Sequence, residues 1–418
     1  MSLLSITSIL ITVSALFAWL NYHTLKLPTT IGIMVISLLF SLVLVILGAL
    51  GFEQGVNMAE QLVAQIDFNA ALLNGMLGFL LFAGAMHVNL NDLRKAKWVI
   101  GLLASIGLFV STALVGVGTY LVLKLVGIEL SFAYCLLFGA LISPTDPVAV
   151  MGILKTAGVS KELKTKITGE SLFNDGVAIV VFLALFGIAV NGEQVNFSKI
   201  GILFVQEAIG GAIFGFICGW VVLKMLKRVD NYQVEVLLTL ALVAGGSTAA
   251  AGLHLSAPIA VVVAGLMIGN HGRSDAMSDI TVQHLDTFWE LIDEILNAVL
   301  FLLIGLEVMV LSSDSSIWLV GILLAVLVLV ARLIAVSIPV NALRLHRDFH
   351  PHVIKILTWG GLRGGISVAL ALAIPAGPER DIVVTITYVI VVLSILLQGL
   401  TIHKLVAATR VDSPVDER

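Results

Sequence analysis

The sequence Leu141-Ile142-Ser143-Pro144-Thr145-Asp146-Pro147 interrupts one apolar segment of the chain. A second apolar segment is interrupted by Trp359-Gly360-Gly361-Leu362-Arg363-Gly364-Gly365. Proline lacks a backbone N–H and disfavours helical geometry in the residue before it, so a helix cannot run unbroken through the first stretch. Irregular backbone is tolerated at membrane depth only where it is buried in protein or lines a polar cavity. The two stretches therefore predict two discontinuous membrane helices that expose backbone groups at a polar site.

The composition around these breaks is that of a membrane protein. Of the 418 residues, 59% are hydrophobic and only 12% are charged, whereas about a quarter of the residues in soluble domains are charged. Because about 20 apolar residues cross the hydrocarbon core, the sequence predicts an all-α polytopic protein with about 13 transmembrane segments. The predicted segments lie near 3–21, 28–50, 68–89, 98–126, 130–153, 167–191, 199–226, 232–253, 256–270, 288–312, 316–341, 353–376 and 382–408.

The two breaks occupy matching places in this series. They fall in segments five and twelve, and each carries a charged residue, Asp146 or Arg363. If segment seven is a linker, each break lies in the fifth member of a six-segment half. The odd linker inverts the second half, which predicts two inverted repeats with discontinuous helices 5 and 12 crossing at mid-membrane. The alternative is a pair of unrelated kinks, which membrane helices tolerate.

The distribution of Lys and Arg predicts the orientation. With the N-terminus outside and thirteen alternating crossings, the outer segments hold only Lys124, Lys199 and Arg380, and most of the other cations fall inside. The positive-inside rule then places the C-terminus in the cytoplasm. The first segment has no basic start and no small-residue cleavage pattern, so we expect it to be retained as a helix.

Segment six carries the densest polar group, in Gly169-Glu170-Ser171-Leu172-Phe173-Asn174-Asp175-Gly176. On a helix, Glu170, Ser171, Asn174 and Asp175 are three or four residues apart and share one face. Ionisable groups inside a membrane are costly and therefore mark functional sites. A carboxylate, a carboxamide and a hydroxyl form an oxygen ligand set, which suits a hard monovalent cation and not a transition metal. One carboxylate can be neutralised by one Na⁺ or one H⁺.

Three charged residues of other apolar segments are candidate neighbours of this site: Asp146, Arg332 and Arg363. Asp146 precedes Pro147, which frees carbonyls around Thr145 to face an ion, but Asp146 could equally be a simple helix cap. Arg332, midway along segment eleven, needs a buried partner, and Glu170 is the best candidate. Arg363 could be held by unwound carbonyls of its own break.

Other transport and enzyme classes fit the sequence less well. An anion transporter on such a fold would not need Asp175 beside Asp146, and a channel would conduct without exchange. The chain has no Gly-x-Ser-x-Gly or His-Glu-x-x-His motif, and no Gly-Lys pair of a P-loop, so we expect neither an enzyme nor an ATP-driven pump. We expect no cofactor, and nothing in the sequence indicates a nucleic-acid partner.

The three motifs together resemble those of the monovalent cation/proton antiporter-1 family, the sodium/proton exchangers of the NhaP type. The resemblance covers the whole membrane chain and implies a homodimer in the cell membrane with a thirteen-helix fold. It implies scaffold helices 1–3 and 8–10, a linker helix 7, and core helices 4–6 and 11–13. The corresponding ranges are 1–90 and 230–312 for the scaffold, 198–228 for the linker, and 95–195 and 315–410 for the core.

The resemblance also implies roles for individual residues. Asp175 would be the carboxylate at which Na⁺ and H⁺ compete, and Ser171, Asp146 and the Thr145 backbone would complete the coordination of the ion. Asn174 would orient the site, and the Asn-Asp pair is similar to that of the branch that exchanges one cation for one proton.

Two further features follow from the same resemblance. Glu170 would pair with Arg332 as a structural bridge, with Arg363 nearby. Relatives often have an acidic residue at or near the position of Ala83. Its absence here leaves open whether this helix contributes to ion coordination, and although Na⁺ is the expected cation, Li⁺ and K⁺ remain alternatives.

Overall fold

The computed structural model describes residues 3–50, 68–146, 161–194, 197–308, 315–345 and 349–409, and the regular structure within these ranges is helical. The helices are α1 (Leu3–His23), α2 (Thr29–Ala49), α3 (Ala70–Met86), α4 (Leu90–Val126), α5 (Phe132–Ile142), α6 (Lys161–Ala189), α7 (197–226), α8 (Tyr232–Gly252), α9 (Ala257–Gly272), α10 (Asp279–Glu307), α11 (Ser315–Arg344), α12 (Val353–Trp359), α13 (Gly365–Leu372) and α14 (Pro378–Ala408).

The all-helical membrane fold is confirmed. Each of the thirteen predicted segments overlaps at least one described helix. Eight of the described helices are long and apolar enough to cross a membrane, judged by length and composition, and α3, α5 and α9 are shorter apolar helices. The chain is therefore a multi-pass membrane protein.

Helices α4 and α10 begin eight or more residues earlier than hydropathy predicts. Helix α4 begins at Leu90, before the predicted 98–126, and α10 begins at Asp279, before the predicted 288–312. Both early turns contain charged residues, which a search for apolar stretches does not detect. Each start has a side-chain cap, because Asn89 accepts from two backbone N–H groups of α4 and Ser278 accepts from Thr281 N in α10.

Both predicted interruptions are seen in the described chain. Helix α5 ends at Ile142 and residues 143–146 are non-helical; the rest of segment five, from Pro147 onward, lies outside the described residues. In segment twelve, α12 ends at Trp359 and α13 begins at Gly365. The two breaks touch each other, since the Asp146 N–H donates a 2.8 Å hydrogen bond to the Leu362 carbonyl.

The helices pack in two sets. In one set, α4 packs along α5, α6 and α11, while α11 also packs along α14. In the other set, α9 packs against α3, α7 and α8, and α10 packs against α2 and α3. Close approach of α4 and α5 requires glycine, because a Cβ at Gly116 would lie 2.7 Å from the Leu136 side chain. Helix α6 runs between the sets, mainly against the first.

Candidate functional site

The four polar residues of segment six are all buried on α6. Glu170 and Asp175 are each 1% exposed, and Ser171 and Asn174 are each 2% exposed. Helical spacing directs these side chains to one side of α6, toward the end of α5 and the break that follows it. Burial of so many polar groups is tolerated only when they find partners or hold an ion.

Thr145 connects this face of α6 to the first break. Its Oγ1 shares a 2.9 Å hydrogen bond with Ser171 Oγ and accepts a 2.9 Å hydrogen bond from Asn174 Nδ2. The resemblance implied a role for the Thr145 backbone, and the structure adds its side-chain hydroxyl. Thr145 itself is 1% exposed, so the break reaches α6 in a region without solvent contact.

Two oxygen atoms of this cluster have no hydrogen-bond partner among the described residues. They are Asp175 Oδ2 and Asn174 Oδ1, and both are buried. A buried carboxylate oxygen without a donor is strongly unfavourable unless a proton or a cation neutralises the group. The neighbouring carboxylates of Asp146 and Glu170 act electrostatically on Asp175. This set of oxygen ligands therefore fits a proton or a hard monovalent cation.

Asp146 lies where the two breaks meet. Its amide is held by the Leu362 carbonyl, and its side chain is partly exposed. Gly364 packs directly on the Asp146 carboxylate, and a Cβ at this position would overlap it. The second break thus determines where the Asp146 side chain can lie.

Glu170 and Arg332 form a buried bidentate pair. Arg332 Nη1 and Nη2 donate to the two carboxylate oxygens of Glu170, the second at 2.7 Å. Arg332 Nη2 also donates to the Leu357 carbonyl at 3.2 Å. Fork-to-fork pairing of this kind is strong and fixes geometry, so Glu170 is occupied by Arg332 rather than directed at an ion.

Arg363 binds a different partner from the one expected. Its Nη1 donates to the carbonyls of Ser143 and Pro144, the latter at 2.9 Å, and its backbone N–H donates to Ser394 Oγ at 3.0 Å. These carbonyls belong to the first break, not to the break that contains Arg363. The last carbonyls of a helix lack intrahelical partners and carry partial negative charge, so the guanidinium caps the end of α5.

Several groups at the site carry no recognisable sequence signal. The Leu362 carbonyl and the Ser394 hydroxyl both hold a break in place, but no local pattern marks a carbonyl as an acceptor for a distant amide. Ala83, on α3, is 1% exposed and brings only a methyl group where relatives were expected to carry an acid.

Comparison with known proteins agrees with this architecture. The chain is 51% identical to the Na(+)/H(+) antiporter NhaP of Pseudomonas aeruginosa, over 99% of both chains. It is 34% identical to the Na(+)/H(+) antiporter NhaH of Halobacillus dabanensis, over 83% of this chain and 85% of that one.

A solved structure shows the same fold. The sodium proton antiporter MjNhaP1 of Methanocaldococcus jannaschii superposes with a TM-score of 0.75 at 20% identity, covering 97% of this chain and 99% of that chain. The family described as "Sodium/hydrogen exchanger, transmembrane" matches residues 11–408. This chain therefore belongs to the sodium/hydrogen exchanger family.

Proposed function

We propose that this protein exchanges Na⁺ for H⁺ across the membrane, with Asp175 as the group that binds either ion. The observation that carries the proposal is the buried Asp175 carboxylate, whose Oδ2 has no donor in the described part of the chain. It lies beside two helix breaks that contact each other. The Na⁺/H⁺ antiporter names of relatives from Pseudomonas aeruginosa and Halobacillus dabanensis support the choice of ions.

The proposed Na⁺ ligands are oxygens of Asp175, Asp146, Ser171, Thr145 and Asn174. The Asn174 carboxamide donates from Nδ2 to Thr145, which leaves its Oδ1 available to an ion. The hydroxyls of Ser171 and Thr145 are linked to each other, and when Thr145 is the donor in this bond each oxygen keeps one lone pair for the ion. All of these ligands are hard oxygen donors, which suit Na⁺.

The charge balance of the site supports one-for-one exchange. Arg332 neutralises Glu170, so Asp175 is the buried α6 carboxylate that remains to be neutralised. It can be neutralised by one H⁺ or by one Na⁺, and the loaded site carries the same charge in either case. Moving the empty carboxylate through a dry interior is strongly penalised, which couples the two fluxes without net charge transfer.

The packing of the helices in two sets supports an alternating-access mechanism. The set that contains α4, α5, α6, α11 and α14 carries the site and corresponds to the proposed core. The set built around α9 and α10 corresponds to the proposed scaffold. Movement of the core against the scaffold would present Asp175 to each side of the membrane in turn.

The assembly and orientation that we propose follow from the family and the charge pattern. The protein would be a homodimer in the cell membrane, joined through scaffold helices. The N-terminus would be outside and the C-terminus cytoplasmic. In this setting, exchange would serve the control of cytoplasmic pH and Na⁺.

Exchange by the purified protein in proteoliposomes tests the proposal. A pH-sensitive dye inside the vesicles reports proton movement while Na⁺, Li⁺ or K⁺ is added outside, with and without a clamped membrane potential. We expect Na⁺-driven proton efflux that the clamp does not change. Equal or greater rates with K⁺ would favour K⁺/H⁺ exchange on the same fold, and ion current without counter-movement of protons would indicate a channel.

A further inference from the structure

The turn between α3 and α4 is fastened to the end of α9. Helix α3 ends at Met86 and α4 begins at Leu90. In the proposed division of the chain, this turn is where the polypeptide passes from the scaffold into the core. A moving core must bend or pivot near such a junction, so the contacts that hold it bear on transport.

Asn270 supplies the central contact. Its Oδ1 accepts a 2.8 Å hydrogen bond from the backbone N–H of Leu90, and its Nδ2 donates to the carbonyls of Val88 at 2.9 Å and Leu266 at 2.8 Å. The opposite amide orientation would set NH₂ against an N–H group. The contacts therefore define one orientation, in which both ends of the carboxamide are used.

The Leu90 N–H needs an acceptor from outside its own helix. The first N–H groups of a helix have no intrahelical carbonyl to bind. The Asn89 side chain accepts from the next two, Asn91 at 2.9 Å and Asp92 at 3.2 Å. The cap of α4 is thus completed by Asn270, a residue of another helix.

Neighbours of Asn270 hold the other side of the turn. Gly269 packs on the Met86 backbone, and a Cβ at Gly269 would overlap the Met86 carbonyl. Arg273 Nη2 donates to the same carbonyl at 3.3 Å and also binds Asp286 of α10. Residues 268–272 form a π-helical turn, a feature that often occurs at functional sites. The end of α3 and the start of α4 are therefore both attached to the same stretch of α9.

We propose that Asn270 is a positioning residue for exchange: it fixes to the scaffold the point from which the core helix α4 moves. This inference rests on the proposed function. We call the hydrogen bond from the Leu90 N–H to Asn270 Oδ1 the anchor. With the anchor present, α4 leaves the scaffold at the same point in every transport cycle. Without it, the first turn of α4 frays and fewer core movements reach the opposite side, while the ligands around Asp175 are unchanged.

The first test compares Asn270→Ala with Asn231→Ala in proteoliposomes. Asn231 is the matched control, because its Oδ1 accepts two backbone N–H bonds at the start of α8, from Gln233 and Val234. We expect Asn270→Ala to lower the maximal exchange rate about fivefold, the equilibrium effect of one hydrogen bond, with an unchanged KM for Na⁺. Asn231→Ala should change neither value. A raised KM, or an equal loss of rate in both variants, would overturn the proposal.

The second test removes the partner instead of Asn270. Leu90→Pro deletes the N–H that Asn270 accepts, and proline is tolerated at the first position of a helix. Asn89 has φ −78° and ψ 119°, which suits a residue before proline. With Leu90→Ala as the control for the lost side chain, the effects of Leu90→Pro and Asn270→Ala should be less than additive when combined. Full additivity would show that the contact does not set the rate.

Hydrogen exchange separates this inference from the proposed function. The amides of residues 90–93 should lose protection in Asn270→Ala and not in Asn231→Ala, whether or not the vesicles show transport. Unchanged protection would show that Asn270 does not hold the first turn of α4. If protection is lost but the maximal rate is not, the anchor exists and the positioning role is wrong. Absence of Na⁺/H⁺ exchange in the unmodified protein, with protection behaving as expected, would refute the proposed function and the positioning role that rests on it, while the anchor would stand.

Discussion

The amide of Asp146 donates a 2.8 Å hydrogen bond to the carbonyl oxygen of Leu362 and so joins the two interrupted segments of the chain. Arg363, the next residue, reaches back to the Ser143 and Pro144 carbonyls. Each break thus satisfies backbone groups that the other leaves without a helical partner. This reciprocal arrangement places Thr145 and Asp146 next to the polar face of α6.

Gly364→Ala should disrupt this arrangement. A Cβ at residue 364 would overlap the Asp146 carboxylate, whereas the backbone there is extended and compatible with alanine (φ −132°, ψ −163°). We therefore expect the loss to be steric, with Na⁺ exchange reduced at least about fivefold, as for a 1 to 3 kcal/mol overpacking penalty. Gly101→Ala is the matched control, because a Cβ added at residue 101 would have no atom of a packed neighbour within 4 Å. Equal activity of both variants would show that the Asp146 position is unimportant.

Asp175→Asn should abolish Na⁺-dependent proton movement. The amide has almost the shape of the carboxyl group, but at neutral pH it carries no negative charge for H⁺ or Na⁺ to neutralise. Since the change removes a buried ionisable group whose Oδ2 has no described partner, thermal stability in detergent should not fall. The exposed Asp230→Asn serves as a control and should exchange normally. Persisting Na⁺/H⁺ exchange in Asp175→Asn would refute the assignment of Asp175.

Protons should act as competitive inhibitors of Na⁺ at the same site. As pH falls on the side that holds Na⁺, more Asp175 is protonated there, so the apparent KM for Na⁺ should rise while the maximal rate stays constant. As pH rises on that side, the apparent KM should fall toward the value for the deprotonated site. Na⁺ titrations at a series of pH values on the Na⁺ side, with the pH on the other side of the vesicle membrane held fixed, provide the measurement. A maximal rate that changes with pH at constant KM would show that H⁺ and Na⁺ use separate sites.

Thr145→Val should weaken Na⁺ binding. The substitution keeps the volume but removes the hydroxyl that accepts from Asn174 and bonds to Ser171. Leaving buried polar partners unsatisfied costs about 1 to 3 kcal/mol, so the KM for Na⁺ should rise roughly tenfold. Thr145→Ser should retain most of the affinity. The control is Thr119→Val, because the buried Thr119 hydroxyl has no hydrogen-bond partner among the described residues; a similar KM change there would exclude the specific contact.

Removing one member of the Glu170–Arg332 pair should lower the stability of the protein more than removing both members. Arg332→Met leaves the Glu170 charge buried without its partner, and such a loss costs about 3 to 5 kcal/mol. The double variant Glu170→Gln with Arg332→Met should recover a large part of that loss. Thermal unfolding in detergent reports the cycle. Lys95→Met is the control: its surface pair with Asp92 has a Lys95 side chain 82% exposed and should contribute under about 1 kcal/mol. If the double variant is less stable than Arg332→Met alone, the proposed structural role of the pair is wrong.

Much of the fold was predictable because its signals are local. Long apolar stretches predict membrane helices wherever they occur, and Pro147 or the glycines after Trp359 predict interruptions from backbone chemistry alone. The boundaries of α4 and α10 were missed because their first turns are polar and amphipathic. The polar face on α6 was also predictable from the local sequence, because helical periodicity alone brings together Glu170, Ser171, Asn174 and Asp175.

The chain sequence by itself determined that this is a helical membrane protein with two breaks and a buried acid on α6. Only the tertiary structure decided that Arg363 caps the other break, that Thr145 joins α6 through its hydroxyl, and that Asn270 completes the cap of α4. The physical reason is that these contacts join groups far apart in the chain. Backbone carbonyls and amides carry no residue-specific signal, so their partners are selected by packing and by the need to satisfy buried polar groups.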